Sequence, residues 1–109
     1  MPRRSTKRAA APPGPTLALD EILDITAAGD LARKLLALRG LPIAIDASGV
    51  RHVGAQCSQV LLSAARTWEA DAQTFRLLDP SAEFTEGLRL LGLASALTHD
   101  ARQPTSALA

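Results

Sequence analysis

The chain holds one cysteine, one tryptophan, two phenylalanines and no tyrosine in 109 residues. The lone Cys57 excludes an internal disulfide and a thiolate metal cluster. Aromatics at 3% leave the core to aliphatic side chains, which the 47% hydrophobic content can supply. No apolar run approaches the roughly 18 residues that a membrane span needs. The N-terminus lacks the apolar stretch of a secretory leader. Together these absences predict a cytoplasmic, soluble protein with a single core, because 109 residues leave no room for a second.

Acid is also missing from the first fifteen residues. "MPRRSTKRAAAPPGP" carries Arg3, Arg4, Lys7 and Arg8 and neither Asp nor Glu. Without those four, eight of the twelve Lys/Arg remain against eleven Asp/Glu, so the rest of the chain is acidic by about three charges. An acidic body argues against nucleic acid as its ligand. Residues Ala9 to Pro15 form a Pro/Ala/Gly stretch that resists helix and strand, so residues 1–15 read as a disordered, solvated basic tail. Residues 95–109, ending "THDARQPTSALA", are polar and Pro-broken and read as a flexible C-terminal tail. The expected domain spans 16–94.

Within it the periodicities are regular. Leu17, Leu19 and Ile22 suggest a short opening strand. "LDITAAGDLARKLLALRG" follows as a helix, with Thr26 as N-cap, Asp30 in the first turn, Leu31, Leu35 and Leu38 on one face, and Gly40 past the end. "LPIAID" is an apolar run of the kind found in a strand buried on both faces. After "ASGV", a second helix runs from about Ala55 to Glu69, with Cys57, Val60, Leu61, Ala64 and Trp68 as its inward stripe. "TFRLLD" is a strand. "PSAEFTEGLRLLGL" is a third helix, capped by Ser81, facing inward through Phe84, Leu88 and Leu91, and ended by Gly92. Alternating strands and helices predict an α/β domain with a mixed, mostly parallel sheet and helices packed on it. The turn before the second helix then lies at the edge of the sheet where ligand and partner sites gather.

The chemistry-bearing residues are few and scattered. Cys57 lies in a first helical turn, where the helix dipole lowers a thiol pKa, but it also belongs to the apolar stripe, which favours a buried structural role. His52 lies close to Cys57 in sequence, but a Cys–His pair needs facing geometry and an oxyanion hole. His52 and His99 lack ligand spacing with each other or with Cys57, so no metal is expected. Asp46 is expected to cap the turn that follows it through the backbone. No acid, base and nucleophile converge, and the glycines of "SGVRHVG" do not make a phosphate loop. The expectation is a non-enzyme without catalytic residues or cofactors.

The segment "IDASGVRHVGAQCSQVLLSAARTW", followed by "FRLLDPSAEFTEGLRLLGL", resembles a STAS domain, the fold of bacterial anti-sigma factor antagonists. "ILDITAAGDLARKLLAL" resembles that family's pattern before its central strand. The likeness covers Thr16 to Leu93 and is nearest to short STAS proteins, of which some accompany chemotaxis signalling and others, MlaB-like, serve lipid-transport ABC systems. In the antagonists a helix-opening "DSSG" carries a serine phosphorylated by the partner kinase. The resemblance places Gly54, Ala55, Gln56 and Cys57 on that motif, and Ala55 on the phosphosite; it places His52 where the family often has a large apolar or aromatic residue, which implies packing. Alanine has no oxygen to phosphorylate, so the implied function is a docking adaptor without this switch. It would engage a protein partner, a histidine-kinase-like or chemotaxis component, with an anti-sigma antagonist role or a lipid-transport ATPase as alternatives. A monomer or weak dimer is expected. The docking face implied is the outer side of the second helix: Ala55, Gln56, Ser58, Gln59, Leu62 as apolar anchor, and Arg66. Ser58 is the replacement phosphosite to consider on this helix.

Overall fold

The computed structural model describes residues 14–94, 96 and 97. Strand β1 (Thr16–Ala18) leads to β2 (Ile22–Leu23) and helix α1 (Ile25–Ala37). Strand β3 (Ile43–Asp46), strand β4 (His52–Val53) and helix α2 (Ala55–Ala70) follow. Strand β5 (Phe75–Leu78) and helix α3 (Ala82–Leu90) complete the named elements. The expected residues 1–15 tail falls outside this range up to Pro13, as do His99 and the rest of 98–109.

Strands β1, β3 and β5 form one sheet in the order β1-β3-β5. Both of its ladders are parallel, with Ala18, Asp46 and Leu78 side by side at the C-terminal ends. The central position of β3 explains its unbroken apolar sequence: Ile43, Ala44 and Ile45 are wholly buried. Beside it lies a second parallel ladder, β2 with β4, pairing Ile22 with His52 and Leu23 with Val53. Ile22 therefore does not extend the opening strand, and the stretch before α2 is not wholly irregular.

This small ladder sets the position of the two long helices. Helix α1 begins two residues after β2 and α2 two residues after β4, so their N-termini emerge together. Gly54 N donates to the Leu23 carbonyl at 2.9 Å, and Cys57 Sγ donates to the Asp24 carbonyl at 3.4 Å. The N-cap of α1 is Asp24 and not Thr26. Asp24 Oδ1 accepts from Thr26 N at 3.1 Å and from Thr26 Oγ1 at 2.6 Å. Thr26 is the second residue inside the helix, so its own amide is the one that the true cap bonds. The earlier start moves Asp30 out of the first turn and into ion pairs with Arg33 and Lys34.

The core is aliphatic around a single aromatic pair. Trp68 and Phe75 meet with ring centroids 5.8 Å apart and planes tilted by 59°. The buried Trp68 donates its indole N–H to the Leu41 carbonyl at 2.6 Å, so its one polar atom is satisfied. Ser81 caps α3, accepting from Phe84 N while donating to the Val50 carbonyl. Phe84 and Leu88 are buried as their spacing predicts. Leu91 is exposed because the helix ends at Leu90 and Leu91 is already its C-cap. Gly92 then turns the chain at φ +75°, as Gly40 does after α1 at +92°. Leu97 is buried in the same core, so the packed body reaches three residues past the expected boundary at 94.

Candidate partner-docking site

Helix α2 opens on Gly54, whose extended backbone forms the N-cap with no side-chain hydrogen bond. The first-turn amides are thus left to solvent or to a partner. Ala55, Gln56, Gln59 and Arg66 are exposed along the helix, as expected, and Ser63 joins them.

Two residues of the expected face are not on it. Ser58 is only 1% exposed and donates its hydroxyl to the Gly54 carbonyl at 2.8 Å. Leu62 is 7% exposed and packs in the core. Buried α2 positions are Cys57, Ser58, Leu61, Leu62, Ala64, Ala65 and Trp68. At 100° per residue their arc is centred about 50° from the expected stripe. Val60, expected inside, is only half-buried. Leu62 is therefore no surface anchor, and Ser58 is no accessible phosphosite.

Exposed apolar residues missed in the sequence stand beside the α2 start. Ile22 is 48% exposed and Ile25 is 68% exposed. The parity of β2 signals the first, since Leu23 points inward and its neighbour must point out. The second is legible once α1 is known to start at residue 25, where Ile25 falls out of phase with Leu31 and Leu35. His52, expected to pack, is exposed, because it is the outward partner of Ile22 in the ladder.

The electrostatics describe a scaffold. The Cys57 thiol is wholly buried, and burial pushes its pKa up, with the charges of Asp24 and Asp20 acting the same way. Burial outweighs the helix dipole, and Cys57 is a packing residue. Asp46 accepts from Ser48 N at 2.9 Å, the expected turn cap, and its interactions with Ser48 hold its carboxyl below the usual range. The hydrogen bond from the Thr26 side chain does the same for Asp24. Among the described residues no group of three or more His, Cys, Asp and Glu is placed to hold a metal ion. Nor is any described helix long and apolar enough to cross a membrane.

Residues 7–99 match the family described as "Mlab, STAS domain". No curated protein and no solved structure matches the chain. With 93 of its 109 residues in that match and its helices packed on parallel ladders, the chain belongs to the MlaB-type STAS domain family.

Proposed function

We propose that this protein is a non-enzymatic docking subunit that binds its partner constitutively through the start of α2. The observation that carries this is the chemistry of that helix start. Ala55 has no hydroxyl at the position that the STAS resemblance assigns to the phosphorylated serine. The nearest serine on the helix, Ser58, is buried and bonded to Gly54. A face without an acceptor oxygen has no phosphate switch at this place. Permanent attachment suits a subunit of a larger machine better than an antagonist that must be released. The family description supports the same direction, toward the ATPase of a lipid-transport system. The adaptor role beside a histidine-kinase-like or chemotaxis protein is the second reading, favoured by the uncharged Ala55–Gln56–Gln59 surface on which the antagonists' kinases dock.

The surface offered is Ala55, Gln56 and Gln59, with Arg66 farther along and Ile22 and Ile25 as apolar contacts at its margin. Such a face is small and uncharged at its centre, as the middle of a protein interface tends to be. The test is co-purification of a tagged protein with a nucleotide-binding partner, identified by mass spectrometry. Ala55→Arg with Gln59→Arg places two unpaired charges at that centre and should abolish capture, since such charges cost several kcal/mol when desolvated. Arg89→Ala on α3 should retain it. Capture undiminished in the double variant, with its fold intact by circular dichroism, moves the docking site elsewhere.

A further inference from the structure

Four exposed large apolar side chains, Ile22, Ile25, Leu90 and Leu91, gather around the turn that leads into α2. Three of them are joined through His52. Ile22 pairs with His52 in the β2–β4 ladder, where both point outward while Leu23 and Val53 point inward. His52 in turn lines an open groove of about 680 Å³ with Gly54 at the start of α2 and with Gly87, Leu90 and Leu91 at the end of α3. Leu90 is 71% exposed there and Leu91 41%. Ile25, the first residue of α1, follows three positions after Ile22. A lone exposed leucine is ordinary, whereas a band of them marks a contact surface.

The groove offers no strand edge. β4 pairs with β2 on one side, and α3 covers the other, where a Cβ on Gly87 would stand 3.3 Å from the Val53 carbonyl oxygen. An extended peptide therefore cannot add to this ladder, and an occupant must bind through its side chains, as an amphipathic helix does. From Glu83 to Leu91 the α3 wall is about 12 Å long, which matches roughly two turns of a docked helix.

The rim gives the occupant its charge. Glu86 and Arg89 are bonded to each other at 2.6 Å and cancel. Glu21, Asp24 and Glu83 are then three carboxylates against one guanidinium, Arg51. The Glu21 carbonyl accepts from Arg51 N at 2.8 Å and from His52 N at 3.2 Å, which fixes Glu21 beside the groove, and Glu83 lines it. Both glutamates are exposed, and neither has an ion-pair partner among the described residues. Such a rim repels an anionic lipid surface and attracts a cationic segment.

We propose that the groove between β4 and the end of α3, with Ile22 and Ile25 at its outer margin, receives a cationic amphipathic helix of a protein partner. Apolar residues one turn apart on that helix cover Leu90, Leu91 and Ile22, and Lys or Arg on its flank lies toward Glu83 and Glu21. The groove adjoins the proposed docking face at Gly54, so a partner that used both would hold the start of α2 from two sides. That consequence rests on the docking reading, whereas the chemistry of the groove does not.

The test uses the full chain and no native partner, so its failure leaves the docking reading standing. The probe is a fluorescein-labelled synthetic helix with Leu along one face and Lys along the other, beside a twin with Glu in place of Lys. In fluorescence anisotropy the protein should bind the Lys helix at least about tenfold tighter than the Glu helix, with the difference shrinking at high salt. Leu90→Gln with Leu91→Gln should weaken binding of the Lys helix by about tenfold or more while circular dichroism shows the fold intact. Glu21→Lys with Glu83→Lys should reverse the preference between the two helices. Equal affinity for both helices, or binding untouched by the leucine changes, would overturn the proposal. Binding to phosphatidylglycerol vesicles that the leucine changes abolish would overturn it too, by making the band a membrane contact. So would a wild-type sedimentation coefficient that rises with concentration and stops rising in the leucine variant, which would give the groove to a second copy.

Discussion

Gly87 sits in the interior of α3, where glycine is ordinarily about 1 kcal/mol worse than alanine. On a solvated helix Gly87→Ala would stabilise by that amount. Here a Cβ would stand 2.6 Å from Val53 Cγ1 and 3.3 Å from the Val53 carbonyl oxygen. Val53 is buried, β-branched and tied to Leu23 in the small ladder, so its methyl cannot swing aside cheaply. Overpacking of this kind costs about 1–3 kcal/mol, which exceeds or cancels the propensity gain. The net expectation is a loss of about 0–2 kcal/mol. A double-mutant cycle decides the mechanism. Val53→Ala alone should cost about 2 kcal/mol, from two methyl groups and the cavity they leave. In that background the 2.6 Å contact is gone and only the tight approach to the carbonyl oxygen remains, so Gly87→Ala should be neutral or stabilise by up to about 1 kcal/mol. The coupling between the two sites is then about 1–3 kcal/mol. Urea unfolding followed by circular dichroism on the four proteins measures it. A gain of about 1 kcal/mol from Gly87→Ala in both backgrounds, with no coupling, would refute the close approach of α3 to β4.

Leu62→Asp is expected to damage folding directly. It replaces a core leucine with a buried, unpaired carboxylate, so it should lose at least about 3 kcal/mol in urea unfolding; a loss under about 1 kcal/mol would put Leu62 back on the surface. Stability should also depend on pH at both ends. Asp24, Asp30, Asp46, Asp71 and Glu86 all have lowered pKa values from hydrogen bonds or paired cations, so their contribution is present at neutral pH and fades as pH falls through the folded values, below about 4. Cys57 has a raised pKa, so its contribution is full below the unfolded value, taken as 9.0, and is lost as pH climbs through the folded one. Thermal midpoints from pH 2 to 11 check both, and a midpoint that rises on acidification below pH 4 would contradict the carboxylate geometry.

Most of the fold was legible because its elements satisfy local rules. Ile43–Ala44–Ile45 is apolar on both parities and is the central strand. Ser81, Gly40 and Gly92 mark helix boundaries by chemistry that acts within one turn. The β2–β4 ladder was not legible. Each of its strands has two residues, too short for a period to register, and they pair across thirty positions of sequence. Nothing local to Ile22–Leu23 or His52–Val53 announces that contact. Yet this ladder brings the starts of α1 and α2 together, exposes Ile22 and His52 on one side, and buries Leu23 and Val53 on the other.

The exposed face of α2 was half legible for a different reason. Serine ordinarily stands on the solvent side of a helix, but a hydroxyl can be satisfied by the carbonyl four residues back. Ser58 does this at Gly54, so it is buried without an orphaned polar atom, and Leu62 one turn later goes inward with it. The expected stripe leaned toward Val60, and the true one leans toward Ser58, Leu62 and Ala65, so both Ser58 and Leu62 fall inside it. The positions at the very start of α2 escaped this error because their meaning does not depend on phase. An oxygen at residue 54 or 55 would have served as helix cap or as phosphoacceptor, and Gly54 and Ala55 supply neither. The capping carboxylate at this end of the molecule is Asp24, and it is committed to α1 through both the amide and the hydroxyl of Thr26. The start of α2 therefore keeps its amides uncapped by any side chain, next to Ala55 and Gln56. A partner that supplies an oxygen to those amides would gain hydrogen bonds that the protein itself does not make.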